Sequence, residues 1–356
     1  MNCDILVIGA GPAGLWAAKS AAEQGFDTVI LEEHLSLGHT KHCSGWLLGC
    51  TFMHEAFDQL RDSLICQKGS RFVVRDAASG EIVEDVADTG WGGYLVRREL
   101  FDRELGKLAV KAGARLFLNV RATSLIREGE QVVGVRTSSS RLPEIRARIT
   151  ICADGMKSAG SGGFAAREVA QTAEAETYSG IQMELVNVTN VTPGAVEIYK
   201  SNDPALGGRS LWPHAAGITL ASFSSVEAYE NIKSRTDNAL SLKLSRSYPI
   251  YISSFRNRKR MGFLYARVAL PGLLFVGEAS GCSGIVHGMM SGLYAVQAAG
   301  AAIRDTASQT NAADAYTELL KGSDIVKMPF CYRHIGEFYG SYRNWLEKSK
   351  EIRISV

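Results

Sequence analysis

The sequence predicts a chain of α/β plus α+β class: a Rossmann-like nucleotide-binding domain, a second domain built on an antiparallel sheet, and a C-terminal helical segment. Three observations carry this prediction. The first is the opening run Asp4-Ile-Leu-Val-Ile-Gly9-Ala-Gly11-Pro12-Ala13-Gly14, closed by Val29-Ile-Leu-Glu32-Glu33. The second is the return of a buried strand and a glycine-rich turn at Leu273–Gly281, ahead of a long helix. The third is a middle region, Tyr178 to Phe223, that reads as strands without long helices between them.

Cys3 to Ile8 is a short, β-branched strand, and Gly9, Gly11 and Gly14 form G-x-G-x-x-G after it. Leu15 to Gln24 is an alanine-rich helix stopped by Gly25, and Thr28 to Leu31 is a second strand ending in acids. Each part has a physical task in dinucleotide binding. Gly9 allows the tight turn, Gly11 leaves the backbone open to a pyrophosphate, and Gly14 lets helix and strand approach. The diphosphate meets free N–H groups at a positive helix end. Glu32, with Glu33 beside it, stands where an acid accepts hydrogen bonds from ribose hydroxyls.

After a polar loop come Lys41-His42-Cys43-Ser44-Gly45-Trp46. Cys43 reads equally as a small buried hydrophobe or as a thiol in a loop pressed against a planar ring, with His42 beside it and Gly45 permitting close approach. Thr51–Leu64 is expected to be helical, and Arg71–Val86 a hairpin turning at Ala78-Ser-Gly80. Gly90–Gly93 breaks the chain before Arg98, a charge at a strand-to-helix junction, and a helix running to Ala112. Strands follow at Arg115–Val120, Ser124–Glu128, Val132–Ser138 and Ile145–Cys152, the last leading into Ala153-Asp154-Gly155. Gly160–Gly163 reads as a boundary. Val226–Leu244 is expected to be one helix, and Arg256–Arg260 a solvated basic run. Domain boundaries follow: residues 1–50, 94–160 and 262–310 for nucleotide binding, 51–93 and 161–261 for substrate, and 311–356 for the helical segment.

The chain has 356 residues, 46% hydrophobic and 21% charged, with a net charge of +2. Such a balance offers no concentrated basic face for nucleic acid. Its seven cysteines, an odd number at scattered spacing, fit reduced thiols better than a disulfide framework; none form a C-x-x-C pair, which argues against a structural zinc or an iron–sulfur cluster, and no metal is expected. The start lacks a signal-peptide pattern, so the expected location is the cytoplasm. Ser283–Ile303 is long and uncharged, but its glycines, His287 and Gln297 suit a helix buried against a sheet better than a membrane span.

Taken in order, Gly9–Gly14 with Glu32, Ala153-Asp154-Gly155 and Gly277-Glu278 resemble the FAD-dependent oxidoreductases of the p-hydroxybenzoate hydroxylase type. The resemblance implies FAD as cofactor, its ADP half on the first motif, Asp154 and Gly155 near the flavin, and Gly277 and Glu278 on the ribityl chain. It further assigns Arg98, Ala122 and Gly288 to the cofactor. Within that group the chain is most similar to the geranylgeranyl reductases: Lys41–Gly45 looks like their P-x-x-C-x-G loop near the flavin, which adds Cys43, Ser44 and Gly45 to the cofactor set. Leu211-Trp212-Pro213 and Gly217 look like their Y-x-W-x-F-P…G substrate segment, without its tyrosine. Glu278 replaces the usual Asp, and Ile285-Val-His287-Gly288 stands where the family carries a proline.

The implied activity is reduction of isolated C=C bonds in a prenyl chain, with Cys43 and His42 as proton-supply candidates and Trp212, Pro213 and His287 at the substrate. Implied partners are a prenyl lipid, a nicotinamide or small-protein electron donor, and peripheral contact with a membrane. Three alternatives share the fold: an aromatic monooxygenase or halogenase, a cluster-free electron-transfer flavoprotein, and a non-catalytic prenyl carrier similar to the Rab GDP-dissociation inhibitors.

Overall fold

The computed structural model describes residues 1–39, 43–47, 60, 66–68, 71–87, 94–155, 177–192, 194–203, 206, 209–214, 217–258, 268–282, 284–305 and 311–323. The expected helix at 51–64 (Leu60 apart), the Gly90–Gly93 breaker, the Gly160–Gly163 boundary, the end of the basic run and His42 lie outside these residues. In chain order the elements are β1 (Asn2–Ile8), α1 (Pro12–Glu23), β2 (Thr28–Leu31), β3 (Trp46–Leu47), β4 (Cys66–Lys68), β5 (Arg71–Asp76), β6 (Ile82–Ala87) and β7 (Tyr94–Val96). Next come α2 (Arg98–Lys111), β8 (Arg115–Phe117), β9 (Ala122–Glu128), β10 (Gln131–Thr137), β11 (Glu144–Cys152), β12 (Thr177–Val186), β13 (Ala195–Lys200), β14 (Arg209–Pro213) and β15 (Thr219–Phe223). The rest are α3 (Val226–Ser234), α4 (Ala239–Leu244), β16 (Tyr248–Arg258), β17 (Ala269–Leu270), β18 (Leu273–Phe275), a 3₁₀ turn (Gly277–Ala279), α5 (Ile285–Arg304) and α6 (Ala312–Gly322).

The chain divides into two compact units, Met1–His39 with Asp102–Glu176 and Arg258–Val356, and Thr40–Phe101 with Thr177–Asn257. Residues 43–47 and 94–101 were expected with the nucleotide-binding domain and cluster instead with the second unit. The reason is local pairing: β3 is antiparallel to β7, and β7 to β4.

In the first unit the sheet runs β17-β18-β11-β1-β2-β8, with the β9–β10 hairpin attached to β11. Pairings β18–β11, β11–β1, β1–β2 and β2–β8 are all parallel. Numbered by their order along the chain, the five parallel strands lie 3-2-1-4-5, the doubly wound order whose switch point falls between β1 and β11. Strand residues alternate between faces. Leu6 and Ile8 therefore share one face with Val29, Leu31 and Cys152, under a cover from Val132 and Val135 of the hairpin. Helix α5 packs along α1 closely enough that a methyl at Gly292 would lie 2.6 Å from the Ala13 carbonyl oxygen. The Tyr316 hydroxyl of α6 donates to the Phe275 carbonyl at 2.6 Å, fixing the helix to the end of β18.

The second unit holds a seven-stranded sheet, β16-β12-β15-β14-β13-β5-β6, and the three-stranded β3-β7-β4. The larger sheet was expected to be antiparallel, and one junction departs from this: β5 joins β13 in parallel, Ala195 opposite Arg71 through Lys200 opposite Asp76. The β5–β6 hairpin comes from a distant part of the chain, so no tight turn constrains its direction. Val226–Leu244 is two helices rather than one. Arg235 leaves helical geometry, and Asn238 caps α4 by accepting from the Ser241 N–H at 2.8 Å.

Helices α3 and α4 cover one face of this sheet, packing Tyr229, Ile232, Leu240 and Leu244 on Met183, Tyr199, Leu211, Ala221 and Phe223. Within that layer Glu197 is fully buried. Its carboxylate accepts from the Lys243 ammonium at 2.9 Å and from the Tyr199 hydroxyl at 2.5 Å, with the Arg75 guanidinium 3.5 Å away. Burial and this carboxylate together push the Tyr199 hydroxyl well above its ordinary value. Removing one partner of such a group leaves charge stranded in the interior. Glu197→Ala is expected to lower stability by about 3 kcal/mol or more, read as the loss in free energy of urea unfolding.

Candidate active site

Three sequence motifs meet at the carboxyl ends of adjacent parallel strands in the first unit. The Ala153 N–H donates to the Ile8 carbonyl at 2.7 Å, and the Val276 N–H to the Cys152 carbonyl at 2.9 Å. The turns after β1, β11 and β18 are thereby locked side by side. Open α/β sheets bind their ligands in this place, outside the carboxyl ends at the switch point.

The glycines of the first motif have different reasons. A methyl at Gly9 would lie 2.5 Å from the Ala153 oxygen, and one at Gly14 would lie 2.0 Å from the Gly9 oxygen. Both are excluded by backbone. A methyl at Gly11 would meet none of the described residues within 4 Å, so they do not require glycine there. Helix α1 begins with Gly11 as N-cap and Pro12 at its first position, with neither a side-chain cap nor an acid in its first turn. Its positive end is left open for an anion.

Glu32 is buried. Its Oε2 accepts from the Ala10 N–H at 2.9 Å, and its Oε1 from the His34 N–H at 2.9 Å, with His34 Nδ1 a further 2.6 Å contact. The carboxylate has about four acceptor sites, so capacity remains on Oε2. Glu33 is exposed. Asp154 accepts from the Cys152 thiol at 3.2 Å, and burial first, then Asp154, pushes that thiol well above its ordinary value. Gly277 donates to the Ser291 hydroxyl at 2.8 Å, with Glu278 half-buried next to it. Gly288 is buried against Ala13 and Gly277, a close-packing position on α5. His287 is buried on the same helix, and Ala122 is buried at the start of β9.

The second unit carries a small recess lined by Cys43, Arg97, Arg98, Glu99, Glu184, His214, Ile218 and Leu220. Cys43 reaches it by way of Gly45. The Gly45 N–H donates to Cys43 Sγ at 3.4 Å, and Gly45 has a φ of +73°. A methyl on Gly45 would lie 1.9 Å from the Val96 oxygen, so β7 itself requires glycine there. Arg97 and Glu99 form a direct ion pair beside the recess.

Of the residues expected at the substrate, Trp212 and Pro213 do not line this recess. Trp212 is 3% exposed and packs against Trp46 and Phe72, ring centroids 5.9 and 6.2 Å away. The next residue, His214, takes the recess position instead. Sequence reasoning missed it, together with Glu99 and Glu184. The available signal was a histidine directly after the Trp-Pro pair, in a turn closed by His214 N–H to the Ile218 carbonyl at 2.8 Å.

Residues 4–235 match the model of the family described as FAD dependent oxidoreductase. The chain belongs to that family. It is an FAD-dependent oxidoreductase, and the open helix end, the space over Gly11 and the free capacity of Glu32 fit the ADP portion of FAD. A digeranylgeranylglycerophospholipid reductase of Thermoplasma acidophilum is 27% identical across 99% of this chain and 88% of its own. The crystal structure of a geranylgeranyl bacteriochlorophyll reductase-like protein from the same organism has a TM-score of 0.72 at 24% identity. That match covers 100% of this chain and 93% of the other, and it establishes the fold. A flavin-dependent brominase variant matches at 0.70 and 16% identity, over 99% and 96% of the two chains. Among the described residues, no helix is long and apolar enough to cross a membrane, and no group of side chains is arranged to hold a metal ion.

Proposed function

We propose that this FAD-dependent oxidoreductase reduces isolated C=C bonds in a prenyl chain of the geranylgeranyl type. The observation that carries the proposal is the recess thiol: Cys43 Sγ accepts from the Gly45 N–H, and Gly45 itself packs against the Val96 carbonyl of β7. The relatives named as digeranylgeranylglycerophospholipid reductases, similar along nearly the whole chain, support the same reading.

When bound and reduced, FAD supplies a hydride; the hard chemistry belongs to the cofactor. The protein's residues do the rest. The α1 start at Pro12, Ala13 and Gly14, with Gly9 and Gly11, holds the pyrophosphate, and Glu32 holds the ribose. Asp154, Gly155, Gly277 and Glu278, on the neighbouring turns, bind the flavin half. Arg98 binds FAD from the start of α2. Cys43 gives the proton required by the alkene carbon that does not receive hydride, and Ile218 and Leu220 supply apolar wall for the chain. Electrons reach FAD from a nicotinamide or a small protein donor, and the enzyme meets its lipid at a membrane surface by peripheral contact.

Mass spectrometry of the product tests the reading. The reduced protein, given a geranylgeranyl lipid without oxygen, is expected to yield a product heavier by two hydrogens per bond. A product that has instead gained an oxygen or a halogen from an aromatic compound would transfer the chain to the monooxygenase or halogenase class.

A further inference from the structure

His214 is 7% exposed, and among the described residues its Nε2 has no hydrogen-bond partner. The ring does hydrogen-bond the Ser44 backbone, and that bond raises its proton affinity. Nδ1 is therefore the donor and the Ser44 carbonyl the acceptor. Leaving a buried acceptor unpaired costs about 1–3 kcal/mol, so an unpartnered Nε2 beside a recess marks a place where a proton or a donor is handled. The bond to Ser44 also ties the ring to the residue that follows Cys43, and both side chains line the same recess. Two further observations narrow its role. Burial lowers the His214 pKa below the ordinary histidine value. The other ionisable groups around the recess are Arg97, Arg98, Glu99 and Glu184, of which Arg97 and Glu99 neutralise each other as a pair.

We propose that His214 is the positioning and proton-return residue for Cys43: its Nε2 hands a proton back to the thiolate left when Cys43 has protonated the substrate. This rests on the reductase reading above. In the forward step the Cys43 S–H bond breaks and a C–H bond forms at one alkene carbon; the hydride for the other carbon would come from the reduced cofactor when bound. The thiolate's charge then favours imidazolium on the neighbouring ring. His214 takes a proton from solvent at Nε2 and passes it to sulfur, directly or through one water, and the pair returns to thiol and neutral imidazole. At rest the proton belongs on sulfur, the arrangement for a proton donor. The thiolate–imidazolium pair of a cysteine nucleophile is the opposite one.

The test needs no substrate. Cys43 in the FAD-loaded protein is alkylated with iodoacetamide from acid to mildly alkaline pH, and its peptide is followed by mass spectrometry in wild type, His214→Gln and His214→Phe. Wild type is expected to show a limb in the alkylation rate at acid pH, below the ordinary histidine value, and both variants are expected to lose it while keeping their FAD. Steady-state reduction of the prenyl lipid should fall about 10-fold or more in both variants, with the acid limb missing from its pH profile. Identical alkylation profiles in wild type and a variant that retains FAD would overturn the role of His214 and leave the reductase reading standing. A His214-dependent limb in a protein that reduces no prenyl alkene supports the coupling and removes the reductase reading.

Discussion

Gly11→Val is expected to give a folded protein that has lost its FAD. A Cβ added at this position meets no described residue within 4 Å, so the backbone itself does not exclude a side chain. That room is the approach to the open end of α1, the place proposed above for the cofactor's pyrophosphate. Gly14→Val makes the contrasting case, because its first carbon would already lie 2.0 Å from the Gly9 oxygen. The Gly14 variant should be destabilised by several kcal/mol, of order 3 or more, as expected where backbone blocks the added atoms. Purified Gly11→Val should unfold at nearly the urea concentration of the FAD-free wild type yet show no flavin absorbance. Flavin retained at wild-type stoichiometry would show that the cofactor does not cross this turn.

The second large effect belongs to Cys43. Cys43→Ala should leave FAD content and stability near wild type while lowering alkene reduction about 10²-fold or more, the usual contribution of a placed proton donor. Among the described cysteines, Cys3, Cys152 and Cys282 are buried, and Cys43 is half-buried. Burial pushes the Cys3 thiol up to about 12, so that thiol has little thiolate character at neutral pH. Anaerobic reoxidation of the reduced flavin by a prenyl lipid isolates the step. If Cys43→Ala reoxidises as fast as wild type, the alkene takes its proton from another group.

Much of the nucleotide-binding unit was legible because its signals are local. A strand, a turn of fixed glycine spacing and a helix occupy consecutive residues, and β1, α1 and β2 follow that pattern closely. The same holds for the hairpin at Ala78–Gly80 and for β18 with its turn. The second unit was less legible. Its β5–β13 junction pairs residues more than a hundred positions apart, and nothing local sets the direction of such a pair. The break between α3 and α4 did leave a trace in Arg235-Thr-Asp-Asn238, a polar run ending in a capping residue, which hydrophobic patterning alone passes over.

By itself, then, the sequence determined the doubly wound unit, its dinucleotide-binding turn and the acid at the end of β2, because period and spacing dictate backbone geometry over short stretches. Only the tertiary structure decided which side chains share a chamber. It placed Trp212 in an aromatic cluster and His214 beside Cys43, although only Pro213 separates them, because β14 ends at Pro213 and His214 no longer follows the strand's alternation of faces. It also gave the glycines of one motif separate causes, backbone contact at Gly9 and Gly14 and open space at Gly11. Spacing cannot separate those causes, since a missing side chain looks the same whether protein or ligand fills its place.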